Sequence, residues 1–164
     1  MSSDIPETLS AGELTDVLDR EFALGHAVSL TVTGSSMGPL LRHLRDRVIL
    51  VSPSVRFPRR GEIVLFRRPD GSFVLHRILK EKEGGVLVMN GDAQVWTEEI
   101  RREQVCGVVS ALVRKGRYIS CDGGRYRCLS ALWRFCMPVR GRITALYAAA
   151  RERMRRRKGR RDYD

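Results

Sequence analysis

The sequence predicts a mainly β protein: an antiparallel β core, preceded by an N-terminal helix and followed by a basic C-terminal helix. Six short apolar runs, VSLTVT, RVILVS, EIVLFRR, SFVLHRIL, GVLVMN and QVCGVVSALV, follow one another between residues 28 and 113. They are punctuated by Pro53, Pro58, Gly61, Asp70-Gly71, Gly84-Gly85 and Gly91-Asp92, the residues that turn a chain between strands. A second observation is the distribution of charge. Residues 1–112 carry 14 Lys and Arg against 15 Asp and Glu, whereas residues 113–164 carry 16 against 4, so the whole excess of +11 lies in the C-terminal third. A neutral working domain joined to a basic segment follows, and that segment suits an acidic surface of some kind.

In chain order, Ser10 and Glu13 form a capping-box pattern, and Leu14, Val17, Leu18 and Phe22 follow at helical spacing, which predicts a helix over about 11–24. The stretch TVTGSSMGPLL, residues 31–41, then reads as a strand end running into a tight backbone excursion at Gly34 and Gly38-Pro39. A serine at such a bend is either a turn former or a nucleophile. Asp70-Gly71 supplies the positive-φ turn of a hairpin, so EIVLFRR and SFVLHRIL should pair antiparallel. After Gly116, YISCDGGRYRC predicts a further short hairpin around Asp122-Gly123-Gly124, and a helix is expected from about Pro138 into the terminal arginines. The organisation expected is an N-terminal helical segment over 1–27, a β core over 28–115 and a basic C-terminal segment over 116–164.

At 164 residues and 43% hydrophobic, the chain suffices for one core and leaves no room for a second full domain. Cys106, Cys121, Cys128 and Cys136 have neither zinc-ligand spacing nor the look of a disulfide framework, which predicts reduced structural thiols. The N-terminus lacks the basic start and apolar run of a secretory signal. The most apolar C-terminal stretch is cut by Arg134, Pro138, Arg140 and Arg142, short of the ~20 residues that span a bilayer. The expectation is a cytoplasmic protein, peripheral on the membrane if the basic end binds lipid. The C-terminal helix would align Val139, Ile143, Leu146, Tyr147 and Ala150 on one face. Residues 138–164 are therefore a candidate for an anionic membrane surface, with a helix covering the core and a solvated arginine tail as the alternative. Sequence-specific binding of nucleic acid is not expected.

A serine hydroxyl attacks only when a positioned base takes its proton. The chain has three histidines. His26 follows the first helix and His43 lies in the polar run RHLRDR, and exposure is expected for both. His76 sits inside the strand SFVLHRIL, where a buried imidazole requires a partner. A structural histidine is the alternative there.

The joint pattern carries more than its parts. GSSMGPLL at 34–41, DRVILV at 46–51, GEIVLF at 61–66, VLHRI at 74–78 and NGDA at 90–93 resemble, in order and spacing, the boxes of type I signal peptidases. Within that family the chain resembles the archaeal and endoplasmic-reticulum branch, where a histidine takes the place of the bacterial lysine. The resemblance covers residues 30–109. It implies a signal-peptidase-like antiparallel β catalytic core, and a serine endopeptidase that removes a leader or signal segment from a peptide or preprotein. It also implies Ser36 as nucleophile, His76 as general base, Asp92 as acidic partner, and the Ser36 main-chain N–H as oxyanion donor. No cofactor and no metal are implied. Gly34 stands where some relatives carry an assisting serine, and beyond Asp92 the nearest acids are Glu98, Glu99 and Glu103. Two other readings stay open. A weak or inactive peptidase could serve as a peptide-binding module. Self-cleaving repressors of the LexA kind share the Ser-Met box, although 33 residues before Gly34 are too few for their DNA-binding module.

Overall fold

The computed structural model describes residues 2–4, 10–136, 139, 141 and 146. Its elements are β1 (Ser2–Asp4), α1 (Ala11–Ala23), β2 (Ala27–Thr31), β3 (Asp46–Val51), β4 (Ile63–Arg67), β5 (Phe73–Glu81), β6 (Val86–Asn90), β7 (Glu98–Arg101), β8 (Val105–Arg114), β9 (Arg117–Ser120) and α2 (Gly124–Phe135). Single 3-10 turns, Glu83–Gly85 and Arg102–Gln104, lead into β6 and β8. The expected mainly β fold with a helix at each end is what forms, and no helix among the described residues is long and apolar enough to cross a membrane.

The N-terminal helix starts where its cap requires. Ser10 Oγ accepts from the Glu13 N–H, and the Glu13 carboxylate accepts from the Ser10 N–H at 2.8 Å, so two otherwise unpaired donors are satisfied at once. Leu18 is buried from α1, with Leu14 and Phe22 packed on the same core. Gly25, at φ 74°, lets the chain leave the helix toward β2.

The strands form one sheet in the order β1-β2-β3-β8-β4-β5-β6-β7, antiparallel except for the β1–β2 pair. Strand β8 is the axis. Its whole C-terminal half pairs with β3 on one edge, while its other edge is shared between β4 near Val108 and β9 from Ala111 onward. Register shifts at Ile49/Leu50, Leu65/Phe66 and Ile78/Lys80 bend the sheet, as extra residues in a ladder do. Two apolar clusters result. One, around Val28, Met37, Leu41, Leu50 and Val109, lies beneath α1 and the 32–45 loop. The other, around Phe66, Ile78, Leu87, Met89 and Ile100, lies between β4, β5 and β6.

The hairpin joining β4 to β5 turns at Asp70-Gly71 as expected, with Leu65 opposite Leu75, but only Gly71 is at positive φ (85°), and the Arg68 N–H donates to the Ser72 carbonyl around a three-residue loop in place of the turn with both central residues at positive φ. The hairpin expected at Asp122-Gly123-Gly124 is not there. The turn of the β8–β9 hairpin falls instead at Lys115-Gly116, both at positive φ, and Gly123 is the N-cap of α2. A Lys-Gly pair signals a turn weakly, whereas Asp-Gly-Gly signals one strongly; Gly123 does turn the chain, into a helix. The helix expected from about Pro138 lies outside the described residues. All four cysteines are free thiols, with Cys121 buried and Cys128 exposed.

Candidate active site

Ser36 sits in a loop that is fastened at both ends. Met37 and Leu41 plunge into the core at 2% and 1% exposure, which anchors the loop by about 1.5–3 kcal/mol for each fully buried side chain. At the far end, the buried Asp46 carboxylate accepts from Arg45, Arg114 and the Arg42 N–H. Burial alone would raise its pKa, but these donors bring it down to about 2. Gly34, at φ 84°, donates its N–H to His43 Nδ1 at 3.0 Å, which gives that exposed histidine a structural contact. Ser36 is half-buried and Ser35 exposed.

A second loop closes on the first. The Ala93 N–H donates to the Ser36 carbonyl at 2.7 Å, and the Asn90 side-chain amide donates to the Gln94 and Trp96 carbonyls, so the 90–96 turn is held beside the serine. Position 91 must be glycine for this approach. A Cβ there would lie 2.7 Å from the Ser36 carbonyl oxygen and 2.5 Å from Gln94 Oε1.

His76, on β5, is 1% exposed. It lines a cavity of about 390 Å³ together with Ser36, Thr33, Leu75 and Gln94; Ser35 is not in its wall. The imidazole packs against Phe66 and the edge of Trp96, with ring centres 5.9 and 6.0 Å away. Its Nδ1 lies 2.8 Å from Glu98 Oε1, close enough to interact but out of line for a good hydrogen bond. Burial pushes the His76 pKa below its ordinary value, and Glu98 offsets only part of that. The ring is therefore neutral near pH 7 and able to accept a proton. Glu98 is itself gripped by the Arg68 fork at 2.7 and 2.8 Å. Against its own desolvation, that fork and His76 hold the Glu98 carboxyl below the usual range.

Asp92 lies elsewhere than beside the imidazole. Both of its oxygens accept from Arg77, at 2.9 Å from Nε and 2.6 Å from Nη2, and both side chains are fully buried. Arg77 Nη1 also donates to the Gly61 carbonyl and to Ser130 Oγ on α2, each at 2.7 Å. Trp133 Nε1 on the same helix donates to the Asp92 carbonyl at 3.2 Å. Asp92 thus ties the 90–96 turn, and through Ala93 the Ser36 loop, to β5 and α2. His26 pairs with Glu21 at 3.0 Å, remote from the cavity wall.

Sequence reasoning assigned no role to Glu98, Arg68 or Arg77. The signal for Arg77 was present, since a strand residue next to His76 must face the other way and a buried arginine requires a carboxylate. Glu98 carried none. It opens a four-residue strand that no apolar pattern announces, and only the β6–β7 pairing brings it to His76.

Residues 5–113 match the family model described as Peptidase S24-like. No curated protein and no solved structure matches the chain.

Proposed function

This chain belongs to the Peptidase S24-like family and is a serine-peptidase-like protein; on that premise we propose that it is a serine endopeptidase of signal peptidase type. The proposal is that Ser36 attacks, His76 acts as general base, and a leader or signal segment is cut from a peptide or protein substrate. The observation that carries the reading is that Ser36 and a buried, neutral His76 line one cavity.

In the proposed reaction His76 takes the proton of Ser36 as its oxygen attacks the peptide carbonyl, then returns it to the leaving amine; water and the same base release the acyl group. The Ser36 main-chain N–H is the proposed oxyanion donor, a contact of a kind that contributes about 2.7–4 kcal/mol. Glu98 stabilises the imidazolium formed between the steps. Asp92 acts at one remove, holding the turn that holds Ser36. An extended substrate suits the cavity because β5 pairs with β4 from Phe73 but with β6 only from Arg77, leaving the second edge of Phe73–Leu75 without a strand partner among the described residues, beside the cavity. Leu14, Leu30 and Leu65 supply an apolar wall for a small side chain.

The test is a peptide library incubated with wild type and with Ser36→Ala, read by mass spectrometry. Cleavage by wild type that falls at least about 10⁴-fold in the variant is expected. Equal cleavage by the two would remove Ser36 from the reaction, and the absence of any cut would favour a binding module.

A further inference from the structure

Four arginines that are buried wholly or in part each find a carboxylate. Arg77 has Asp92, Arg114 has Asp46, Arg68 has Glu98, and Arg56 has both Glu62 and Asp122. Arg134 of α2, half-buried, does not. Its Nε is buried without a hydrogen-bond partner among the described residues. Burial and the nearby charges of Arg60 and Arg77 pull its pKa below the ordinary arginine value. Gly61 makes room for it: at φ 91° the residue carries no side chain, and a Cβ there would lie 2.6 Å from Arg134 Nη1 and 2.9 Å from its Cζ. A cation packed this closely and left uncompensated is costly, so an anion is the group the position lacks.

Arg134 belongs to the wall of a cavity of about 430 Å³ between α2 and the 56–63 segment, a size typical of small-molecule sites. Five arginines and two carboxylates line it, a surplus of three positive charges. Both carboxylates are already engaged. Asp122 accepts from both ends of the Arg56 fork at 2.7 Å, and Glu62 accepts from Arg56 Nε and from the Arg59 N–H, each at 2.9 Å. Arg60 and Arg127 are exposed, and neither guanidinium has a carboxylate hydrogen bond among the described residues. Ile63 and Tyr126 add an apolar part to the wall. Guanidinium forks take phosphate oxygens in pairs, and a phosphate dianion offsets more of the surplus than one carboxylate would.

We propose that this cavity binds free or esterified phosphate as a small soluble ligand, with Arg134, Arg60 and Arg127 supplying the donors. The ligand would bridge Arg60 on the loop before β4 to Arg127 and Arg134 on α2. It would so brace the helix whose Ser130 accepts from Arg77 and whose Trp133 donates to the Asp92 carbonyl. The inference does not rest on the peptidase reading.

The experiment is isothermal titration of the full chain with inorganic phosphate and with phenyl phosphate at constant chloride, followed by thermal unfolding with and without each. A single site per chain is expected, with a Tm that rises with ligand concentration. Tighter binding of phenyl phosphate would identify an organic phosphate as the occupant, and equal affinity the free ion. Arg134→Met should weaken binding by about ten- to a hundredfold. Without ligand this variant should melt no lower than wild type, because the side chain it removes has no ion pair to lose. Arg60→Gln, at an exposed position, should also weaken binding and decides the matter alone if Arg134→Met does not fold. Arg117→Gln, on the exposed end of β9 and outside the cavity wall, should bind as wild type does. Absence of binding by the wild type, or affinity unchanged in both Arg134→Met and Arg60→Gln, would overturn the proposal. So would an equal loss in Arg117→Gln, the mark of a diffuse ion atmosphere around a basic chain.

Discussion

His76 and Arg77 are neighbours on β5, point to opposite faces of the sheet, and each meets a carboxylate. Arg77 has both oxygens of Asp92 in a bidentate fork, with neither side chain reaching solvent. His76 has one oxygen of Glu98 at 2.8 Å in poor alignment, and Glu98 spends its better hydrogen bonds on Arg68. The first pair is locked and the second is loose. A buried ion pair holds structure because either charge left alone is expensive, whereas a base must be free to gain and lose a proton at little cost. On the proposed reading, one strand would separate stability from chemistry by alternation alone.

The contrast can be broken on its chemical side first. His76→Gln should lower kcat/KM by about 10⁴-fold or more while changing unfolding free energy by only about 1 kcal/mol. A large loss of stability with little loss of rate would reverse the assignment of the two faces. On the structural side, Asp92→Asn leaves the Arg77 guanidinium buried and uncompensated, at a cost of about 3–5 kcal/mol in urea unfolding. The pair change Arg77→Met with Asp92→Leu should recover much of that loss. Full stability in the single variant would show that the fork is not what holds the 90–96 turn.

Smaller effects sharpen the comparison. Glu98→Gln should cost about 10²-fold in kcat/KM with little change in stability. Because Glu98 partly offsets the lowering of the His76 pKa, the acid limb of the variant's pH–rate profile should move further down. In wild type that limb should already lie below pH 6.5. The sign for stability follows from the same shift. As pH falls below 6.5 the unfolded chain protonates its histidine before the folded one does, so the contribution of a neutral buried His76 is complete above that value and is lost as pH drops toward the lowered pKa. An acid limb above pH 6.5 would show that Glu98 dominates the imidazole.

Legibility in the sequence followed the range of the interactions. The helix at 11–23, its capping box, the six apolar strands and the Asp70-Gly71 turn depend on residues within a few positions of one another, and all are where the pattern put them. Strands β1 and β7 were not foreseen, because SSD and EEIR carry no apolar alternation and pair only through partners that the fold supplies, and YIS was expected in a hairpin with the residues after it whereas it pairs back onto β8. The basic C-terminal region was legible as charge, but α2 was not foreseen as a helix. Leu129, Leu132 and Phe135 are exposed while the one buried residue is Ser130, with Tyr126 and Trp133 beside it, so its apolar stripe does not match that of a helix covering a core.

By itself, the sequence determined that this protein is mainly β, that its basic charge lies at one end, and that a serine at a bend and a histidine in a strand are its chemical candidates. Short-range periodicity and turn chemistry encode such things directly. Only the tertiary structure decided which carboxylate stands at which cation. Glu98 lies 22 residues and Asp92 16 residues beyond His76, and along the chain no local pattern says which of the two stands beside the imidazole. A loop closed by the Ala93–Ser36 hydrogen bond and a strand added beyond β6 put Asp92 on the far face and Glu98 on the near one.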